Sequence, residues 1–431
     1  MLLKFPYPDI PPVEIPNDRL IGYYRPKRPA RRFNPISLIT KAIENPIGTP
    51  RLAEMVRPGY RVLILVDDLT RPTPQHVILP FIIAELHRGG VLARDISILF
   101  SYGSHRKLTR EEKARKLGSE LAGRFQLLDH DWMGDDLIDL GKLDDGTPIV
   151  VNRHLVEADF VLSVGHIVPH RAQGFTGGGK MVLPGAAGKA SLDYMHWQEA
   201  HYHTEQILGQ TDNPIRRISD AFARRAGLKF SLNVVLDDER NILGAWSGDP
   251  AKVYRKGCQK SKEIYGIEIP EPADICVTDS YPADVDLWQA NKAIFAMDLA
   301  VKNGGVVILV TPCPEGAATE HPHLVDVGFR PHHEIKQMVL DGKLEAGASA
   351  AALSDVGRVI REKAKGILVS PGISPDVQRK LGFEVAGTPQ EALDRAFEIM
   401  GAKSSVLAFH HGGEILPIVK GSSLVGRAGQ P

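Results

Sequence analysis

The stretch Arg61-Val-Leu-Ile-Leu-Val-Asp-Asp68 constrains the fold more than any other: an unbroken apolar run closed by two acids. An amphipathic strand would alternate, whereas a run without alternation is the pattern of a parallel strand buried on both faces, and such strands need helices above and below them. The following sequence supplies them. Pro74 to Arg88 carries apolar residues at helical spacing, Gly89-Gly90 stops it, and Asp95 to Phe100 reads as the next strand, completing a βαβ unit. Strands at Phe160 to Val164 and Phe230 to Leu236, with amphipathic helices over Pro214 to Ala226 and Asp249 to Tyr265, continue the alternation. Around Ile267-Glu-Ile-Pro-Glu-Pro272 the periodicity lapses and two prolines mark a linker. Beyond it Asp274 to Thr278 opens a second series, with helices over Lys292 to Asn303 and Ser349 to Lys365 and strands at Gly305 to Val310 and Gly366 to Ser370. The expectation is an α/β protein of two Rossmann-like domains, 1–270 and 273–392. The helix Pro389 to Met400 and strand Ser405 to Phe409 suit a chain that crosses back, so that 395–431 completes the first domain.

Composition supports this and narrows the partners. With 43% hydrophobic residues, 431 residues hold ample apolar material for more than one core. Lys plus Arg and Asp plus Glu both total 52, so no overall positive field exists to attract nucleic acid or anionic lipid, and neither is expected as a partner. Met1 to Pro16 holds five prolines and several charges rather than a continuous apolar core, which is unlike a secretory signal. The apolar runs fall far short of the roughly 20 residues that span a bilayer, so a cytoplasmic protein is expected. Cys258, Cys276 and Cys313 are too few and too widely spaced for a disulfide framework or structural zinc site, and read as buried or incidental thiols.

Five segments carry possible chemistry. Asp67-Asp68-Leu-Thr-Arg-Pro-Thr-Pro74 follows the buried strand, at the end where open α/β sheets bind ligands. There Arg71 suits a carboxylate or phosphate, although the same residues also make an ordinary turn with a solvated arginine. Ser101-Tyr-Gly-Ser-His105-Arg106 ends the next strand; His105 is either an acid or base beside the first loop or a surface histidine. Most informative is Gly165-His-Ile-Val-Pro-His170 through Gly174-Phe-Thr-Gly177-Gly178-Gly179-Lys180. Gly174 to Lys180 matches GxxxxGK, but Met181 stands where a P-loop needs Ser or Thr, and Pro184 and Gly185 interrupt the helix that should follow. What survives is a glycine-rich backbone able to approach an anion or cofactor closely, ending in a lysine capable of covalent bonding. Met195-His196-Trp197 is the fourth segment. The nearby pair His201/His203 faces divergent directions if helical and makes a poor metal site, and His321/His323, His332/His333 and His410/His411 read as solvated loop residues. In the fifth, Asp286-Leu-Trp288-Gln289-Ala-Asn-Lys292, Gln289 and Lys292 share a helical face that either meets a ligand or is an exposed polar stripe.

Taken together, DDLTRPTP, GSHR, the PH-x6-GGGK-x-x-L-P-G run, His196 and WQANK resemble, in order and over most of the chain, the nickel-dependent lactate racemase family. The resemblance implies two α/β domains with the active site in the cleft between them. It implies a nickel-pincer nucleotide, a pyridinium mononucleotide bearing two thio-acid arms, joined covalently to Lys180, with His196 the protein ligand to nickel. Soft sulfur donors with an imidazole suit Ni(II). Asp68, Thr70, Gly177, Gly178 and Gly179 fall with Lys180 on the cofactor side, and His105 and His170 match the catalytic pair. Arg71, Gln289, Lys292 and Trp288 match the substrate-binding positions. The implied reaction racemises or epimerises a 2-hydroxy acid: one histidine takes the hydroxyl proton while hydride passes to the cofactor, and a planar 2-keto acid receives it back on the other face. Enzymes that synthesise the cofactor are the implied maturation partners. Trp288 stands where lactate-acting members are expected to carry tyrosine, which points to larger or more polar acids and makes a sugar-acid 2-epimerase the alternative. A non-catalytic nickel-nucleotide binder would need Lys180 and His196 but not two bases.

Overall fold

In the computed structural model, which describes residues 1–28, 33–318 and 320–421, Val62–Val66 is buried at every position and lies inside a six-stranded sheet. Its parallel neighbours are Ile96–Phe100 on one side and Phe160–His166 on the other. The chain thus leaves to one side of this strand and later returns to the other, which opens a crevice at the strands' carboxyl ends. Gln126–Asp129 extends the sheet at one edge, and Leu228–Leu236 followed by antiparallel Ile242–Gly248 extends it at the other.

Helix starts follow from local chemistry. Asn34-Pro35, Asn213-Pro214, Asp249-Pro250, Ser374-Pro375 and Thr388-Pro389 each pair a side chain that accepts from a first-turn amide with a proline that needs no such partner. Thr109 and Glu112 form a reciprocal capping box ahead of Arg110–Leu117.

A second six-stranded sheet, parallel throughout, has the order Glu384–Val385, Ala364–Val369, Val301–Val310, Ala273–Asp279, Val406–Phe409, Leu20–Tyr24. The chain ends therefore depart from expectation. Val406–Phe409 joins the second sheet rather than completing the first, and Leu20–Tyr24 pairs beyond it, so residues near the amino terminus pack with the second sheet. The segment read as a linker forms Gly266–Ile269, which pairs with Leu416–Val419. Strand partners more than a hundred residues apart leave no local mark, which is why these assignments could not be read from periodicity.

Two helix boundaries also moved. Leu287–Asp298 begins earlier than the pattern suggested because Asp286 caps it, accepting from the Gln289 amide at 2.8 Å, and the chain is already extended by Val301. Ala348–Gly357 ends in a wider turn over Arg358–Lys363 before the Ala364–Val369 strand. The three cysteines are buried free thiols. Among the described residues no helix is long and apolar enough to cross a membrane.

Candidate active site

The carboxyl ends of Val62–Val66, Ile96–Phe100 and Phe160–His166 face helices of the second sheet's domain across a cleft with about 1110 Å³ of unfilled space, counting its open mouth. The walls are tied across the gap: Asp193 accepts from the Ala348 amide at 2.9 Å, and Arg106 meets Glu315 at the same distance.

Asp67 and Asp68 leave the central strand buried, and a hidden cation balances them. Lys116 donates to Asp67 at 2.9 Å and to the backbone oxygens of Asp68 and Arg71, clamping the loop. Burial opposes ionisation of Asp67, but Lys116 and His166 outweigh it and hold its carboxyl below the usual range. Asp68 accepts from Thr70 through one oxygen and from His105 Nδ1, at 2.7 Å, through the other. Burial again opposes the charge, and His105 and Arg71 overcome it. His105 Nε2 is left as an acceptor, and the Gln289 amide donates to it at 2.9 Å from the other domain. Lys292 donates in turn to the Gln289 carbonyl oxygen, which fixes the amide's orientation.

Around this chain lie cations with no carboxylate of their own. Arg71 donates to Thr70 and forms no ion pair among the described residues. Burial, then the charges of Arg71 and Lys180, push the Lys292 amine far down from its ordinary value. Burial, then Arg71, push Lys180 down to about 7. His196, on the helix Lys189–Glu199, is pushed down to about 3 by burial and by Lys180. Burial and Lys180 push His170 well below an ordinary imidazole, and its Nδ1 has no partner among the described residues. Both histidines are therefore neutral at pH 7.

Asp68, Thr70, Arg71, His105, His170 and Gly177 all line this cleft, as do Lys180, His196, Trp288, Gln289 and Lys292. Gly177 sits at φ 78° in the turn that delivers Lys180. Gly178 and Gly179 do not line it. A Cβ on Gly179 would come within 2.7 Å of the Ser219 carbonyl, and one on Gly178 within 3.1 Å of Tyr254, so these two glycines serve helix packing behind the turn.

His201 and His203 are exposed, and no cluster of three or more metal-ligating side chains occurs among the described residues. His321, read as a solvated loop residue, is instead buried. Its ring stacks on Trp288 with centroids 3.7 Å apart and meets Ser104 at 3.1 Å. His410 is likewise engaged, with Asp279 at 2.6 Å.

Several cleft residues had escaped the sequence reading. His166 touches Thr73 at 2.9 Å through Nδ1, while its Nε2 faces the Glu414 carboxyl at 4.0 Å. Burial pushes Glu414 up to about 7. Arg171 is enclosed between Glu199 and Asp355, and Asn291 lies buried one helical turn beyond Trp288. Only Asn291 carried a signal, as a polar residue on an otherwise apolar stripe of its helix.

Two open, predominantly parallel sheets meeting at such a cleft define a two-domain α/β enzyme of small-molecule chemistry. Comparison with known proteins makes this specific. Residues 10–208 match the lactate racemase N-terminal domain model and residues 269–416 the lactate racemase C-terminal domain model. The lactate racemase of Thermoanaerobacterium thermosaccharolyticum is 34% identical over 313 residues, 71% of this chain and 73% of that protein. The lactate racemase of Lactiplantibacillus plantarum is 30% identical over 380 residues, 87% of this chain and 89% of that protein. The solved lactate racemase apoprotein from T. thermosaccharolyticum superposes with a TM-score of 0.86 at 28% identity, covering 97% of this chain and 100% of that one. The chain belongs to the lactate racemase family and is an isomerase.

Proposed function

We propose that this enzyme inverts the C2 centre of a 2-hydroxy acid, as the named relatives do with lactate, using a nickel-pincer nucleotide joined to Lys180. The observation that carries the reading is the pair of cleft imidazoles, His105 and His170, beside an arginine that lacks any carboxylate partner among the described residues.

The residues present fit the cofactor. An amine pushed down to about 7 has a large neutral, nucleophilic fraction at physiological pH, as covalent attachment requires. His196, pushed down to about 3, offers the unprotonated nitrogen that a metal needs. Asp68, Thr70 and Gly177 would border the group. Bound there, it supplies a hydride acceptor and donor for C2, whose hydrogen is too weakly acidic to leave readily as a proton.

The protein's own part is binding and proton handling. Arg71 and Lys292 hold the substrate carboxylate, so an oxidised planar acid is retained while it reorients. His105, its Nδ1 proton held by Asp68, takes the hydroxyl proton on Nε2 in the place where the Gln289 amide now donates. Neutral His170 takes it for the opposite configuration.

The test is protein co-produced with cofactor-synthesis enzymes, examined by intact mass and nickel content and then incubated with single-configuration 2-hydroxy acids. Expected are a mass adduct that Lys180→Ala loses, inversion of at least one acid, and retention of the C2 hydrogen when the reaction is run in D2O. Absence of both adduct and nickel, or full exchange of C2 with deuterium, would defeat the reading.

A further inference from the structure

Arg216 stands apart from the other arginines of its helix. Arg217, Arg224 and Arg225 reach solvent, whereas Arg216, third in Pro214–Arg225, is 2% exposed and packs against the glycine turn that ends in Lys180. Burying a cation is costly unless partners replace its water. Its one carboxylate contact among the described residues is Asp220 at 3.4 Å, itself partly exposed, and the guanidinium lies 3.6 Å from the centre of the Tyr254 ring. The shorter bonds go to backbone. Nη2 donates to the Phe175 carbonyl at 2.6 Å and Nη1 to the Gly177 carbonyl at 3.1 Å.

The place of those two oxygens gives the contact its meaning. Gly174–Phe175 pairs with Pro169–His170, so the first bond braces the strand that carries one catalytic imidazole. The Gly177 carbonyl accepts from the Lys180 amide as well, at 3.3 Å, so a single oxygen links the guanidinium to the backbone of the attachment lysine. Gly177 and Gly178 stand at φ 78° and 56°, and glycine has more backbone freedom to lose than any other residue. A turn built this way keeps one shape only through ties from outside it. Asn233 supplies one tie, accepting from the Gly178 amide at 3.2 Å, and Arg216 supplies two more.

The residue type matters too. A guanidinium combines donors in a rigid planar fork with a permanent charge, which neither a lysine nor a neutral amide does. Burial and Arg71, with Arg216 after them, push the Lys180 amine down to about 7, so the cation that shapes the turn also favours the neutral amine.

We propose that Arg216 is a positioning residue for cofactor attachment: it holds the glycine turn in the arrangement that delivers the Lys180 amine into the cleft, and this rests on the racemase reading above. In the joining step the amine condenses with a thio-acid arm. The C–N bond forms as the arm's C–O bond breaks, the oxygen leaves as water with one proton from nitrogen and one from the thio-acid, and no electrons change hands. Arg216 touches none of the reacting atoms.

The test follows the mass adduct over time in protein co-produced with cofactor-synthesis enzymes. Arg216→Gln should acquire it about 10- to 100-fold more slowly than wild type, the scale of a nucleophile displaced by about an ångström. Arg216→Lys, which keeps the charge but not the fork, should fall between the two and serves if the glutamine variant does not fold. Leu393→Ala, fully buried in the other domain, controls for lost stability and should load at the wild-type rate once folded. In cofactor-free protein the amine-labelling midpoint of Lys180 should rise in Arg216→Gln and stay near wild type in Arg216→Lys, a separation of charge from shape that lost stability would not produce. Adduct formation in folded Arg216 variants within about threefold of wild type, or a loss that Leu393→Ala matches, would overturn the inference while leaving the racemase reading intact. Absence of adduct and nickel from wild type would remove both.

Discussion

Replacing Asp68 by Asn keeps the shape of the buried loop and removes one negative charge from behind His105. When His105 takes a proton from the substrate, an imidazolium forms whose Nδ1 lies 2.7 Å from the Asp68 carboxylate. Unit charges about 4 Å apart attract by about 4 kcal/mol at an effective dielectric of about 20, and about 1.4 kcal/mol is tenfold in rate. The His105 side chain is 23% exposed, so solvent screens part of that attraction. The expected loss in kcat is therefore about 10²–10³-fold, with KM little changed because Arg71 and Lys292 remain. The equilibrium between the two configurations belongs to the substrate, so kcat/KM must fall by the same factor in both directions. The assay follows chirality by chromatography from each pure configuration, with cofactor occupancy measured by mass and folding by circular dichroism. A fully loaded, folded Asp68→Asn enzyme within about threefold of wild type would refute the reasoning that His105 carries charge in the reaction.

Arg171→Met strands Glu199 and Asp355, whose side chains are 3% and 4% exposed, and should cost about 3–5 kcal/mol in urea unfolding, partly restored by adding Asp355→Asn; a loss below about 1 kcal/mol would show that Arg171 does not compensate these buried carboxyls. In cofactor-free protein, amine labelling of Lys180 followed by peptide mass spectrometry should show a midpoint near pH 7, as burial and Arg71 dictate. Arg71→Gln should move that midpoint up, because removing a like charge favours the ammonium form; a wild-type midpoint above about 9 would contradict the assignment. Burial pushes His130 down to about 4 and His321 down to about 3 from the ordinary 6.5. Because these folded values are depressed and the neutral form is the native one, their stabilisation is complete above pH 6.5 and drains away as pH falls toward 4 and then 3. Urea midpoints measured from pH 7 to 4 should fall accordingly, and a shallower fall for His130→Gln than for wild type would identify that residue's share.

Much was determined by the sequence by itself, because it depended on neighbours along the chain. The unbroken apolar run of Val62–Val66 required burial on both faces, prolines such as Pro214 and Pro389 marked where helices begin, and the acids and His105 could be read as standing at strand ends. The resemblance of the motifs named the family before any contact was known. What only the tertiary structure decided depended on residues far apart. Val406–Phe409 and Leu20–Tyr24 choose the second sheet because their edges fit there, a choice that local periodicity does not encode. Gly178 and Gly179, alike in sequence to Gly177, prove to face a helix rather than the cleft. The bond from Gln289 to His105 exists only once two domains close on one another, and the cover of His321 over Trp288 only once distant parts of the second domain pack together. Strand order and side-chain direction are properties of packing in three dimensions, which neighbours along the chain do not encode.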